Sequence, residues 1–135
     1  MPVSTIKADI PCNVHTVWET VTDVESYPVW RTDLSKTEIL NAKQFVEHTK
    51  DGFPTTFTVT CTEPYKRWEF DMENSNMCGH WVGIFTLKGT HTQIEFTETV
   101  TAKKVLLKPF VKLYLRKQQA RFVADLQKVL AQTAR

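Results

Sequence analysis

The chain has 135 residues, of which 41% are apolar, 24% charged and fifteen aromatic. That is the size of one ordinary domain and enough apolar mass for a core without disulfides or metals. No apolar run approaches the roughly 18 residues of a membrane span, and residues 1–10 lack the apolar stretch of a secretory signal; the expectation is one domain over 1–135, in the cytoplasm.

Val3 to Ile10 reads as a strand closed by Pro11. Asn13 is placed to cap a helix, and Val14, Val17, Trp18 and Val21 follow at helical spacing. Asp23 opens a second short turn, which Pro28 is expected to close. After Trp30 the pattern turns to strands. Thr37–Leu40 and Gln44–His48 flank a short turn, and Asp51-Gly52 is a strong hairpin signal because both residues tolerate positive φ. Phe57, Val59 and Cys61 alternate with threonines up to Pro64. Arg67–Glu73 has a period of two, with Trp68, Phe70 and Met72 on one face and Arg67, Glu69, Asp71 and Glu73 on the other. His80–Leu87 is apolar on both faces. Gln93–Thr101 places Ile94, Phe96, Glu98 and Val100 together. From about Lys108 to residue 132 the chain reads as one unbroken helix, with Pro109 in its first turn and an apolar stripe of Val111, Leu115, Phe122, Leu126 and Val129. Strands joined by short turns are antiparallel, and the helix must bury its stripe on one sheet face. The fold class is therefore α+β: a curved antiparallel sheet of six to seven strands around a long C-terminal helix, two short helices after the first strand, and an apolar cavity between sheet and helix.

The cluster Val17, Trp18, Asp23, Tyr27, Pro28 and Trp30 resembles the N-terminal signature of the START-like superfamily, in its polyketide cyclase/dehydrase and lipid transport branch. Gly89-Thr90 followed by the alternating strand Ile94, Phe96, Glu98 is similar to its late hairpin. The resemblance covers essentially the whole chain and implies a helix-grip fold enclosing a deep apolar pocket. It implies binding of lipids, polyketides or aromatic metabolites, and in some members cyclisation. It carries over no catalytic constellation, and fold alone does not fix function.

Glu98 is the leading polar candidate. On a cavity-facing strand, desolvation would favour its neutral form; its alternative role is pairing with a basic residue of the long helix. His80 has two readings. Beside Val82 and Ile84 it faces the cavity and approaches Glu98 as an acid/base partner; in the other register Trp81, Phe85 and Leu87 point inward and His80 outward. Tyr27 is a second partner for Glu98 in an enzymatic reading. Trp30, Phe57, Trp68, Phe70, Trp81, Phe85, Phe96, Tyr114, Leu115 and Phe122 are the candidate cavity walls, since aromatic walls with a few polar groups suit a small apolar ligand. Cys12, Cys61 and Cys78 are odd in number and widely spaced, so they read as reduced, mostly buried thiols, with no metal site. Four scattered glycines form no nucleotide-binding loop, no cofactor is indicated, and no nucleic-acid motif appears.

A net charge of +2 hides a split. Residues 103–135 hold nine Lys or Arg and one acid, Asp125, for a charge of +8, against −6 elsewhere. Lys104, Lys108, Lys112 and Arg116 step by four along one basic stripe, which fits transient contact with an anionic membrane. The leading expectation is a carrier or binder of a hydrophobic small molecule. A cyclase or dehydratase using Glu98 and His80, and a membrane-associated adaptor, are the alternatives.

Overall fold

The computed structural model describes residues 2–133. In chain order it forms β1 (Val3–Ile10), α1 (Val14–Thr22), a 3-10 turn at Val24–Ser26, α2 (Tyr27–Trp30), β2 (Leu34–Ile39), β3 (Gln44–Thr49), β4 (Pro54–Glu63), β5 (Arg67–Glu73), β6 (Met77–Lys88) and β7 (His91–Ala102). A 3-10 segment at Val105–Phe110 then leads into α3 (Val111–Thr133). The seven strands make one antiparallel sheet in the order β1-β7-β6-β5-β4-β3-β2.

Local chemistry accounts for most boundaries. The Asn13 side chain accepts from the Thr16 amide at 3.0 Å, satisfying one of the free donors of the first turn of α1. Gly52 (φ +83°) and Gly89 (φ +64°) supply the left-handed residues of two hairpin turns. Pro28 does not close the second helix as expected; it lies in the first turn of α2, where a missing amide costs nothing. Pro109 likewise sits in the 3-10 segment, and the long helix starts at Val111.

One face of the sheet carries the core. Phe45, Phe57, Met72, Gly79 and Val100 are cross-strand neighbours from β3 to β7, and Phe70, Trp81, Glu98 and Ser4 form a second row from β5 to β1. Helix α3 buries Val111, Leu115, Val123, Leu126 and Leu130, a stripe that includes Val123 and Leu130 beyond the expected residues, with Phe122 and Val129 partly buried. It packs chiefly on β1 and β7. Gln119 fixes that seat: it accepts from the Ser4 hydroxyl at 2.7 Å and donates to the Ser4 and Phe96 carbonyls at 2.8 and 3.2 Å. Asp125 fixes the opposite side by accepting from the Thr32 amide and hydroxyl at 2.9 and 3.0 Å. Because α3 lies over one edge of the sheet, the concave face of β3–β6 keeps an open space beneath it. Cys12 and Cys61 are half-buried, and Cys78, expected inside, is exposed at the start of β6.

Candidate functional site

The space between α3 and the sheet is a chamber of about 120 Å³ that opens to solvent at one end. Phe57, Trp68, Phe70, Trp81 and Phe96 line it from the strands, and Tyr114, Leu115 and Phe122 from the helix. Phe70 and Trp81 are stacked at 4.7 Å, and Phe45 and Phe57 at 4.9 Å. The open end leads into a wider groove between the β3–β4 turn, the β5–β6 turn and residues 107–121, with Asp33, Thr49, Asn74, Met77, Tyr114 and Gln118 shared by both spaces.

Nine of the twelve sequence candidates line the chamber, and three do not. Trp30 stands behind the wall, edge-on to Tyr27 and Phe122 at 5.6 and 5.5 Å. Phe85 packs between Trp18 and Phe96 in the core below it. His80 faces away on the convex side. Its Nδ1 lies 2.7 Å from Asp71 and its Nε2 2.8 Å from Glu69, and these carboxylates raise its pKa against the opposing effect of desolvation. The β5–β6 turn sets the parity: Glu73 pairs with Cys78, so Asp71 pairs with His80 and Phe70 with Trp81. The outward register of His80 is therefore the real one, although Leu87, near the strand end, is exposed. Glu98 pairs with Trp81 across β6–β7 and lies on the opposite face of the sheet from His80. The expected Glu98–His80 couple does not exist.

Glu98 does reach the chamber. Burial pushes its carboxyl up to about 7, with Glu47 adding to the rise and Arg31 opposing it. It meets no basic residue of α3. Among the described residues its side chain has no hydrogen-bond partner. Tyr27 is no acid/base partner either: its hydroxyl donates to the Val21 carbonyl, and burial drives its pKa above the ordinary tyrosine value.

The polar centre of the chamber was not anticipated. Arg31, in the link from α2 to β2, reaches inward and donates from Nη1 to Glu47 at 2.9 Å, and from Nη2 and Nε to Asp33 at 2.9 and 3.3 Å. Its guanidinium also lies over the rings of Tyr27 and Phe122, 4.9 and 5.1 Å from their centroids. All three charged side chains are about nine-tenths buried. Burial raises the pKa of Glu47, partly countered by Arg31. Period two from Phe45 was the available signal for Glu47, because the two share the inward face of β3. Arg31 lies outside any strand or helix, and no pattern pointed to it.

This architecture defines a helix-grip protein with a lined cavity, and the sequence agrees. Residues 1–131 match the model of the family described as polyketide cyclase/dehydrase and lipid transport, so the chain belongs to that family. A START superfamily protein from Mycobacterium smegmatis is similar in structure, with a TM-score of 0.90 at 14% identity over 97% of this chain and 98% of that one. The Zhui aromatase/cyclase from Streptomyces sp. R1128 gives 0.84 at 14% identity over 98% and 95%. DynU16, a protein of the dynemicin biosynthetic locus, gives 0.74 at 20% identity over 97% of this chain and 48% of that one. No curated protein matches the sequence. Among the described residues no helix is long and apolar enough to cross a membrane.

Proposed function

We propose that the protein binds a small hydrophobic molecule, a lipid, polyketide or aromatic metabolite, in the chamber between the sheet and α3. The observation that carries this reading is an aromatic-walled space with an ionisable side chain, Glu98, that no protein group occupies. A cavity of roughly 150 Å³ holds benzene, so a chamber of about 120 Å³ takes at most one small ring or a short chain segment, with the remainder of a larger ligand in the outer groove. The test is displacement of the dye ANS from the native protein by apolar ligands, together with a rise in melting temperature at saturating ligand, since a ligand bound only by the native state stabilises it. Absence of dye and ligand binding refutes the proposal.

The enzymatic alternative, which the fold of an aromatase/cyclase also supports, loses His80 and keeps Glu98 as its proton-moving group. A carboxyl that titrates near 7 is suited to acid/base work at neutral pH. A membrane-contact role has its own support. Leu106, Phe110 and Leu113 are exposed beside the groove, and Lys108, Lys112 and Arg116 stand exposed among them.

A further inference from the structure

The charges facing the chamber are unbalanced, and the imbalance selects a ligand chemistry. Arg31 is the one cation among its described lining residues, against the three carboxyls of Asp33, Glu47 and Glu98. Each nitrogen of its guanidinium donates to Asp33 or Glu47, and the group lies over the rings of Tyr27 and Phe122. No cation is left for an anionic head group, which would meet buried carboxylates instead. Two neighbouring donors are also spent: the Ser4 hydroxyl on Gln119, and the Gln119 amide on two backbone carbonyls. Glu98 alone presents a carboxyl to the chamber with no partner. It stands in the same cross-strand row as Trp81 and Phe70, whose rings carry the negative π faces that attract cations.

From this geometry we infer that the ligand is an amphiphilic amine, whose protonated nitrogen pairs with Glu98 and whose ring or alicyclic body lies against Trp81 and Phe70. The inference rests on the proposed ligand-binding function and names its substrate class. A protonated amine supplies the hydrogen bonds that Glu98 lacks and offsets the charge that appears when it ionises. It also adds a cation–π contact that a neutral ligand does not make.

The amine should displace the Glu98 proton on binding. The titratable groups that line the chamber with Glu98 are Arg31 and Asp33 from the α2–β2 link, Glu47 from β3, Tyr27 from α2 and Tyr114 from α3. Of these, Glu47 disfavours and Arg31 favours the ionised carboxylate. Amine affinity therefore rises with pH through about 7, and holds until the amine itself loses its proton, at about 10 for an alkylamine like that of lysine.

The experiment compares 2-phenylethylamine, 2-phenylethanol and phenylacetate by calorimetry and by the fluorescence of the tryptophans, at about pH 5.5 and about pH 8. At the higher pH the amine should bind about tenfold or more tightly than the alcohol, as a charge-assisted bond does, and phenylacetate should bind worst. The amine's advantage should shrink at the lower pH while the alcohol is unaffected. Glu98→Gln, checked for an unchanged circular dichroism spectrum, should reduce the amine to the affinity of the alcohol. Equal affinities in the native protein, an amine advantage independent of pH, or an advantage that survives Glu98→Gln overturns the inference. Failure of all three probes in a protein that still binds ANS also overturns it and leaves the binding function standing. Failure of ANS and every apolar probe overturns both.

Discussion

At the scale of single residues, Glu98 weakens the fold that holds it. An exposed glutamate titrates near 4.3, whereas in the folded chain Glu98 titrates at about 7. Between these values the native state holds more protons than the unfolded one, so stability falls as pH rises through this window. Glu98→Gln removes the effect. Urea denaturation should show the variant level with the parent at about pH 4 and more stable by on the order of 1–3 kcal/mol at about pH 8; a parent as stable as the variant at pH 8 would place the carboxyl in water. Arg31 behaves oppositely. Arg31→Met leaves Asp33 and Glu47 buried without their cation and should cost roughly 3–5 kcal/mol near neutral pH, read from the same denaturation curves. Lysine should not rescue it, because an ammonium cannot make the forked contacts to both carboxylates. The site was legible wherever alternation governs: Phe57, Trp68, Phe70, Phe96 and Glu98 all follow from period two. It was not legible at Arg31 and Asp33, whose approach depends on the path of a connecting segment.

Among the elements, β6 decides what the chamber contains. Its run of apolar residues allowed two opposite orientations, and hydrophobicity could not choose between them. The choice lay in the β5–β6 turn, whose pairing places His80 across from Asp71 among the outward acids, and in the glycines: Gly79, Trp81, Gly83 and Phe85 all face inward. A Cβ on Gly83 would overlap the Trp81 ring, and one on Gly79 would overlap the Thr99 carbonyl. Gly83→Ala should therefore push the indole into the chamber. The expected result is weaker ligand binding and altered tryptophan emission with the sheet intact, measurable by titration and circular dichroism. The segment from Val105 through the first turns of α3 presents a different surface. Val105, Leu106, Phe110 and Leu113 are more than half exposed, and Lys104, Lys108, Lys112 and Arg116 are exposed among them. Each basic residue adds roughly 1 kcal/mol at an anionic surface, screened within about 8–10 Å. Co-sedimentation should appear with anionic vesicles, be absent with neutral ones, weaken at high salt, and fall when Lys108, Lys112 and Arg116 become glutamine. Recovery in the supernatant under every condition would leave this surface without a lipid partner.

For the molecule as a whole, the antiparallel sheet, the order of elements along the chain and the single long helix were readable because local turns and uninterrupted periodicity determine them. The extra turn lengths of β2, β4, β6 and β7 were not, since pairing extends strands past the point where their own pattern fades. One pairing has a consequence for how the protein comes into being. β1 has a single neighbour in the sheet, β7, with Val3 opposite Thr99 and Ile10 opposite Thr92, and Gln119 of α3 holds Ser4 from above. β1 thus waits for β7 before it has a partner. Closing so long a loop is costly before any contact repays it, which slows folding. The hairpins from β2 to β7 join neighbours and can form early, while the cavity acquires its roof only when α3 docks on β1 and β7. A nascent chain stalled before residue 91 would hold a partial sheet with a bare apolar face, the state in which such a protein is most exposed to aggregation and most dependent on chaperones.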